Sequence, residues 1–324
     1  MIQNIIGIDI GGTKCAVTYG ENKGENITIV DKMKFDTTNV NDTIACLMSQ
    51  TAILMEKHNL TPQNVAAIGI SCGGPLDSKK GIIMSPPNLP GWDNIPIVEL
   101  FEKRFGVKTV IQNDANACAL AEWKFGAARG YSNAIFLTFA TGMGAGLILD
   151  GKLYVGTNDN AGEVGHIRLE PTGPIGYDKV GSFQGFCSGS GIAQIAQTKV
   201  REEFQRGASV SFCTNENELD KLTAKTIAEA ALADDPLAKD IYRLCGQYLG
   251  KALSFIIDIL NPEIIVLGSI YYRAQNLIES AMREVIEQES LYYARQVCRI
   301  VPAGLGESVG DYAALSTAVN ALNN

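Results

Sequence analysis

The sequence predicts an α/β protein built as two layered domains. Short apolar runs of strand character alternate with segments of helical spacing along the chain, as layered α/β folds require. A strand–glycine turn–strand unit occurs twice, at residues 5–20 and again from 134 to 149. At 324 residues, 46% of them apolar, the chain also exceeds a usual single core.

The first of these units begins with an apolar run, Ile5 to Ile10, that reads as a buried strand. A second β-type run, Cys15 to Tyr19, follows at once, and Gly11-Gly12-Thr13-Lys14 between them reads as a hairpin turn. Glycines leave backbone N–H groups bare, so an anion can approach closely. Thr13 adds a hydroxyl donor and Lys14 a charge. Asp9, at the end of the first strand, is placed to hold a magnesium ion through water. A Walker loop needs Gly-x-x-x-x-Gly-Lys-Ser/Thr before a helix, and a dinucleotide fingerprint also leads into a helix. Here a strand follows the glycines. Taken alone, the turn also admits an ordinary glycine hairpin with an incidental aspartate.

Composition narrows the function classes. Net charge is −8, with a pI near 5.0, which argues against a nucleic-acid partner. No apolar run approaches the roughly 20 residues that span a bilayer, so no membrane partner is expected. Met1-Ile2-Gln3-Asn4 leads directly into the first strand, with neither a basic region nor a cleavage site of the kind a signal peptide carries. The eight cysteines include no Cys-x-x-Cys pair and mostly sit in apolar runs. They read as buried free thiols of a cytoplasmic protein.

Beyond the first hairpin, Ile27 to Phe35 continues the strand pattern. Thr38 to His58 is a helix with Ile44, Leu47, Met48, Thr51, Leu54 and Met55 on one stripe. Val65 to Ser71 is a strand ending in the glycine turn Cys72-Gly73-Gly74-Pro75. Ser85 to Trp92 is too rich in proline for a regular element. It is either a rigid loop presenting Asn88 and Trp92 to a ligand or a plain connector. A helix at Ile95–Phe105 and a strand at Lys108–Gln112 lead to Asn113-Asp114, before a helix from Ala115 to Phe125. Asp114 is either a helix cap or a carboxylate at the carboxyl end of a strand, where α/β proteins keep chemistry.

Ala134 to Phe139 then restarts the pattern. It runs through a second glycine turn, Ala140 to Gly146, into strands at Leu147–Leu149 and Lys152–Val155. Gly162-Glu163-Val164-Gly165-His166 follows, then a glycine-rich stretch, Pro171 to Gly191, of little periodicity. Helices are expected at Ile192–Phe204, Thr223–Leu232, Pro236–Leu260, Leu277–Gln288 and Asp311–Leu322. Strands are expected at Ile264–Leu267, running into Gly268-Ser269, and at Val297–Val301.

In this order and spacing the motifs resemble those of the ROK family of sugar kinases, within the wider actin, Hsp70 and hexokinase-like fold. The carriers are Asp9 to Lys14, Gly73-Gly74-Pro75, Asn88 to Trp92, Asn113 to Asn116, Thr141 to Gly146, Gly162 to His166 and Val266-Leu267-Gly268. The resemblance covers Ile6 to about Ala318. It implies two actin-like ATPase-type α/β domains with an interdomain cleft. The small domain would be 1–118 joined by the C-terminal helix 311–324, and the larger one 119–310. It implies ATP-dependent phosphorylation of a hexose or N-acetylhexosamine, with ATP and Mg²⁺ as cofactors and a small-molecule sugar as substrate. ATP would be held by Asp9, Gly11, Gly12, Thr13, Lys14, Thr141, Gly142, Gly144 and Gly268, with adenosine near Gly268 and the turn before Asp311. The sugar would meet Gly74, Asn88, Asn113, Asp114, Glu163, His166 and Gln184, and Asp114 would be the general base. Because the family is often dimeric, a homodimer is expected.

The chain departs from the family at several positions. Many members follow Gly-His with a Cys-x-Cys-Gly-x-x-Gly-Cys zinc site, and here those cysteine positions read Ile175, Tyr177 and Ser182. His166 alone cannot hold a structural zinc, so none is expected. The segment would instead be held by packing of Tyr177, Phe183 and Phe186, and His166 is either a sugar contact or a packed histidine. Gln184 stands where the family carries a sugar-binding glutamate, which places an amide N–H within reach of the sugar. Gly268-Ser269-Ile270 has less glycine than is common at the adenine pocket. The rival readings are a sugar-binding regulator, since the family includes repressors with an N-terminal helix-turn-helix, and a degenerate non-catalytic protein. The strand that opens within the first six residues and the presence of Asp9 and Asp114 favour the kinase.

Overall fold

The computed structural model describes residues 2–322. By their contacts the residues fall into two compact units. One holds the chain up to Phe136, Gly146–Ala161 and everything from Gly304; the other holds Leu137–Ala145 and Gly162–Ala303.

The first sheet contains β1 (Gln3–Ile10), β2 (Lys14–Asn22), β3 (Ile27–Asp36), β4 (Val65–Cys72) and β5 (Thr109–Asn113), in the order β3-β2-β1-β4-β5. The hairpin partners run antiparallel, whereas β4 and β5 run parallel to β1. Parallel neighbours need crossover connections. These are supplied by α1 (Val40–Lys57) and α2 (Ile97–Phe105). The α1 helix starts where Asn39 accepts the Asp42 N–H, and it buries Leu47, Thr51, Leu54 and Met55. Against that face lie Ile6, Ile8 and Ile10 of β1 and Ile68 and Ile70 of β4, all nearly inaccessible. Alternation turns the odd residues of β1 to the opposite face. There Ile5 packs with Ile27, Ala67, Leu315 and Ala318.

That opposite face is covered by the last helix of the chain. A Cβ on Gly69 would lie 2.2 Å from the Ala314 carbonyl oxygen and 2.4 Å from the Ala318 nitrogen. Only glycine lets this helix lie directly on β4.

The second sheet repeats the first in its order. It contains β6 (Ala134–Phe139), β7 (Met143–Leu149), β8 (Lys152–Tyr154), β9 (Ile264–Leu267) and β10 (Arg299–Pro302), arranged β8-β7-β6-β9-β10. The remaining helices are α3 (Asp114–Phe125), α4 (Phe183–Phe186), α5 (Gly189–Gln205), α6 (Ala224–Leu232), α7 (Pro236–Leu260), α8 (Ile270–Glu289), α9 (Tyr292–Val297) and α10 (Val309–Leu322). The α8 helix begins seven residues before the expected Leu277, and Ala274 within it departs from helical geometry (φ −125°). That kink breaks the apolar spacing on which the sequence reading depends. None of the described helices is long and apolar enough to cross a membrane. All eight cysteines are free thiols, five buried and three partly so.

Candidate active site

In the first unit, strand register brings the predicted residues together. Asp9 pairs with Ser71, and Ser71 with Gln112; one step on, Ile10 pairs with Cys72 and Cys72 with Asn113. The carboxyl ends of β1, β4 and β5 are therefore level. The turn after β1 is closed by Gly11 N–H donating to the Lys14 carbonyl at 3.2 Å. Thr37 braces it, donating its Oγ1–H to the Gly11 carbonyl at 2.6 Å and its N–H to the Thr13 carbonyl at 2.9 Å. A Cβ on Gly12 would lie 2.5 Å from the Asn88 carbonyl oxygen, so the 85–92 loop rests on the turn. The Asn88 side chain lies beside Gly73, and the Asn113 side chain beside Gly74. Gly11, Gly74, Asn88, Asn113 and Asp114 thus share one neighbourhood, with Gly12, Thr13 and Lys14 exposed at its edge.

The two readings of Asp114 turn out to be compatible. Asn113 caps α3, its Oδ1 accepting the Ala115 N–H at 2.9 Å. Asp114 Oδ1 accepts the same N–H at 2.8 Å, which fixes the carboxylate at the helix N-terminus with its second oxygen available. Water reaches Asp114. Protein nevertheless crowds its carboxylate, and the lost hydration raises its pKa against the pull of the backbone hydrogen bonds. Asp9 is pushed up to about 6, first by burial and then by the Asp114 charge, with Lys32, Lys34 and the Ser71 hydroxyl pulling the other way. Two neighbouring carboxylates that both hold protons more tightly than usual mark a place short of positive charge. A hard divalent cation fits that deficit. Among the described residues no three His, Cys, Asp or Glu side chains form a metal cage. Mg²⁺ commonly needs none, since it takes one or two carboxylates together with substrate phosphates.

In the second unit the other glycine turn is held differently. Ala140 N–H donates to the Gly142 carbonyl at 3.1 Å, and Gly144 N–H to Thr138 Oγ1 at 3.0 Å. The start of α5 secures it from behind, through Gly189 N–H to the Ala140 carbonyl (2.7 Å) and Ser190 Oγ–H to the Thr141 carbonyl (3.3 Å). Gln184 of α4 accepts the Met143 N–H on Oε1 at 3.1 Å. A backbone N–H can only donate, so this contact fixes which way the amide points and leaves Nε2 for a ligand. The Gly162–His166 segment is joined to the same strand by Ala145 N–H donating to the Gly162 carbonyl at 2.8 Å. A Cβ on Gly165 would lie 2.1 Å from the Met143 carbonyl oxygen. Thr141, Gly142, Gly144, Glu163, His166 and Gln184 therefore cluster, with Glu163 and His166 exposed. Gly268 is buried at the end of β9, its N–H donating to the Leu137 carbonyl at 3.0 Å.

Two expectations are corrected. Trp92 is 1% exposed and belongs to the core beneath the first sheet, so the 85–92 loop presents Asn88 alone. Tyr177 is 58% exposed and does not pack the 171–191 segment; it meets only the edge of His166, at 5.9 Å between ring centroids. Phe183 and Phe186 are buried, the latter stacked on Tyr248 at 3.6 Å. At one of the family's cysteine positions, Ser182 Oγ donates to the Gly176 carbonyl and accepts the Gly185 N–H, both at 3.1 Å. Gln194 grips both backbone groups of Ile175, at 2.9 and 2.8 Å.

Several residues at the site carried no sequence signal of their own. Ser71, Thr138 and Ser190 lie in runs whose spacing says nothing of their partners. Glu122 is fully buried in α3 and accepts N–H groups from Ala127, Gly304 and Leu305 at 2.7 to 3.0 Å, fixing the turn that precedes α10. Lys32 and Lys34 read as the solvated face of a strand.

The ROK family profile matches residues 5–319. A glucokinase of Halalkalibacterium halodurans is 30% identical over 311 residues, 94% of this chain and 92% of that protein. The N-acetylglucosamine repressor of Escherichia coli is 28% identical over 276 residues, 84% of this chain and 66% of the repressor. A ROK family glucokinase from Streptomyces griseus, solved with glucose and AMPPNP, superimposes with a TM-score of 0.78 at 27% identity, covering 99% of this chain and all of that one. With its two glycine turns, its level strand ends and a family match along nearly its whole length, the chain belongs to the ROK family.

Proposed function

We propose that this sugar kinase transfers the terminal phosphoryl group of ATP to a hydroxyl of a hexose or N-acetylhexosamine, with Asp114 as general base. The observation that carries the reading is Asp114 itself, a carboxylate held by the Ala115 N–H just past the end of β5, beside Asn113 and two residues beyond Gln112, which lies level with Asp9. The glucose and AMPPNP complex of the Streptomyces griseus enzyme supports the choice of substrates.

The chemistry follows from the groups present. A sugar hydroxyl is a poor nucleophile. Asp114, its pKa raised by burial above the ordinary carboxylate value, accepts the hydroxyl proton as the oxygen bonds to phosphorus and the bond to the ADP oxygen breaks. Phosphoryl transfer otherwise needs positioning and charge neutralisation. The N–H of exposed Gly12, the Thr13 hydroxyl and Lys14 bind phosphate oxygens, and in the second unit Thr141 and Gly142 do the same; Gly11 and Gly144, whose own N–H groups close their turns, let the phosphates approach closely. Asp9 would hold Mg²⁺ through water, and the ion would neutralise phosphate charge. Asn88, Asn113, Gly74, Glu163, His166 and Gln184 bind the sugar hydroxyls. As a second proposal, the chain works as a homodimer, which light scattering at micromolar concentration checks.

The test is ADP release in a coupled assay over a panel of hexoses and N-acetylhexosamines, with ATP and inorganic polyphosphate as alternative donors. Turnover on at least one sugar supports the reading. Sugar binding without turnover on any of them favours the regulator or the degenerate protein.

A further inference from the structure

The face of the first sheet that carries Asp9 also carries two lysines. In register, Asp9 lies opposite Ala16 and Ala16 opposite Lys34, so Asp9 and Lys34 share a face with one alanine between them. Two strand spacings separate them, about 10 Å, which an extended lysine largely covers. The Ala16 methyl leaves the path open. Two residues back on the same face, Lys32 lies opposite Thr18, and Thr18 opposite Gly7.

The two lysines differ in what neutralises them. Lys32 is ion-paired with Asp311 in the first turn of α10. Lys34 is exposed, and among the described residues no carboxylate forms an ion pair with it. The Lys32 ammonium lies within its hydrogen-bond range, and both ammoniums pull on Asp9. Lys14, the cation the turn itself offers, has Asp36 directly opposite in register. Lys34 therefore stands against a like charge, on the sheet face that carries the carboxylate beside the phosphate turn. Such an arrangement is unfavourable by itself and becomes favourable when a polyanion arrives.

We propose that Lys34, reaching across Ala16 toward Asp9, is a second cation of the phosphate-donor site and binds the triphosphate of the donor. This rests on the kinase reading of the turn after β1. Lys32, held by Asp311, lies against Lys34 and acts as a positioning residue.

The experiment uses the full chain and its Lys34→Met and Lys34→Arg variants. Calorimetry measures Mg²⁺–AMPPNP and Mg²⁺–inorganic triphosphate binding, and steady-state kinetics measures KM for ATP and for the sugar. Lys34→Met is expected to weaken both ligands and raise KM for ATP by roughly tenfold or more, the size of a lost charge-assisted hydrogen bond, with KM for the sugar unchanged. Lys34→Arg should recover most of the loss. Raising the salt concentration should weaken wild-type binding more than that of Lys34→Met. Wild-type affinity for triphosphate in Lys34→Met, or no triphosphate binding by the wild type, overturns the proposal. Lys34-dependent triphosphate binding in a protein that phosphorylates no sugar leaves this inference standing and removes the kinase reading. Turnover with a Lys34-independent KM for ATP does the reverse.

Discussion

The two glycine turns, 10–14 and 140–144, share a plan and differ in what surrounds them. The first is ringed by ionisable groups: Asp9 feels the charges of Asp114, Lys32 and Lys34, and both carboxylates are displaced upward from their ordinary pKa, chiefly by burial. The second is pinned by neutral donors and acceptors, Thr138, Gln184 and Ser190, together with the amides of α5. The same backbone device thus serves two purposes. One turn is built around charge that titrates and moves protons. The other is built as a fixed set of N–H groups whose state does not depend on pH.

The largest test of this contrast is Asp114→Asn. Asparagine keeps the acceptor for Ala115 N–H but cannot take a proton at neutral pH. We expect kcat to fall by roughly 10²–10⁴-fold while sugar affinity and melting temperature are kept. Near-normal turnover in a folded variant would reduce Asp114 to a helix cap.

Next in size is the pH dependence of Asp9. Its folded pKa of about 6 lies above the ordinary 3.8, so the folded state holds this proton more tightly. The stabilisation from protonated Asp9 is full below about pH 4 and is lost as pH rises through about 6. Above that, in the absence of divalent cation, ionised Asp9 costs on the order of 1–3 kcal/mol. Asp9→Asn should therefore be more stable than the wild type at pH 8 by that amount, with the gain gone near pH 4. Denaturant titrations across this range measure it; a gain that does not vary with pH would assign it to something other than ionisation.

A smaller effect is expected in the neutral turn. Gln184→Ala strips the buried Met143 N–H of its acceptor, at a cost of about 1–3 kcal/mol shared between stability and KM for ATP. Gln184→Glu can still accept that N–H but offers the sugar an acceptor in place of a donor. It should reorder the sugars by kcat/KM, whereas Glu163→Gln should weaken all of them. One common factor across hexoses and N-acetylhexosamines would show that residue 184 does not read the sugar.

The smallest expected effect is none. With Ile175, Tyr177 and Ser182 at the cysteine positions, dialysis against a chelator should leave the melting temperature unchanged, and metal analysis should find well under one zinc per chain. A stoichiometric zinc that resists dialysis would mean that His166 has recruited ligands of another kind.

Much of this site could be read from the sequence because glycine and strand-end carboxylates announce themselves locally. Asp9, Asn113 and Asp114 each lie at or just past the end of a strand-like run, and the register of β1, β4 and β5 then brings those strand ends level. Partners fixed by pairing could not be read. Lys32 and Lys34 alternate with apolar residues as any half-exposed strand does, and only the β1–β2–β3 register shows that they face Asp9. Trp92 sits in a proline-rich loop with no periodicity to tell core from surface. The six-residue α9 is too short to repeat a pattern. Which end of the Gln184 amide is occupied, and by what, depends on a contact 41 residues away in the chain.

The seat of α10 on β1 and β4 also bears on how the protein is made. Its Leu315 and Ala318 cover Ile5 and Ala67, residues that leave the ribosome long before it does. The covering helix follows β4 by about 240 residues, which at 5–20 residues per second is roughly 12–50 s. Through that interval the nascent first sheet has one bare apolar face, while the chain between β6 and β10 is already complete enough to collapse. Birth order therefore favours finishing the second unit before the first. A nascent chain stalled short of Val309 would expose a sheet that a chaperone or a second ribosome's product can bind.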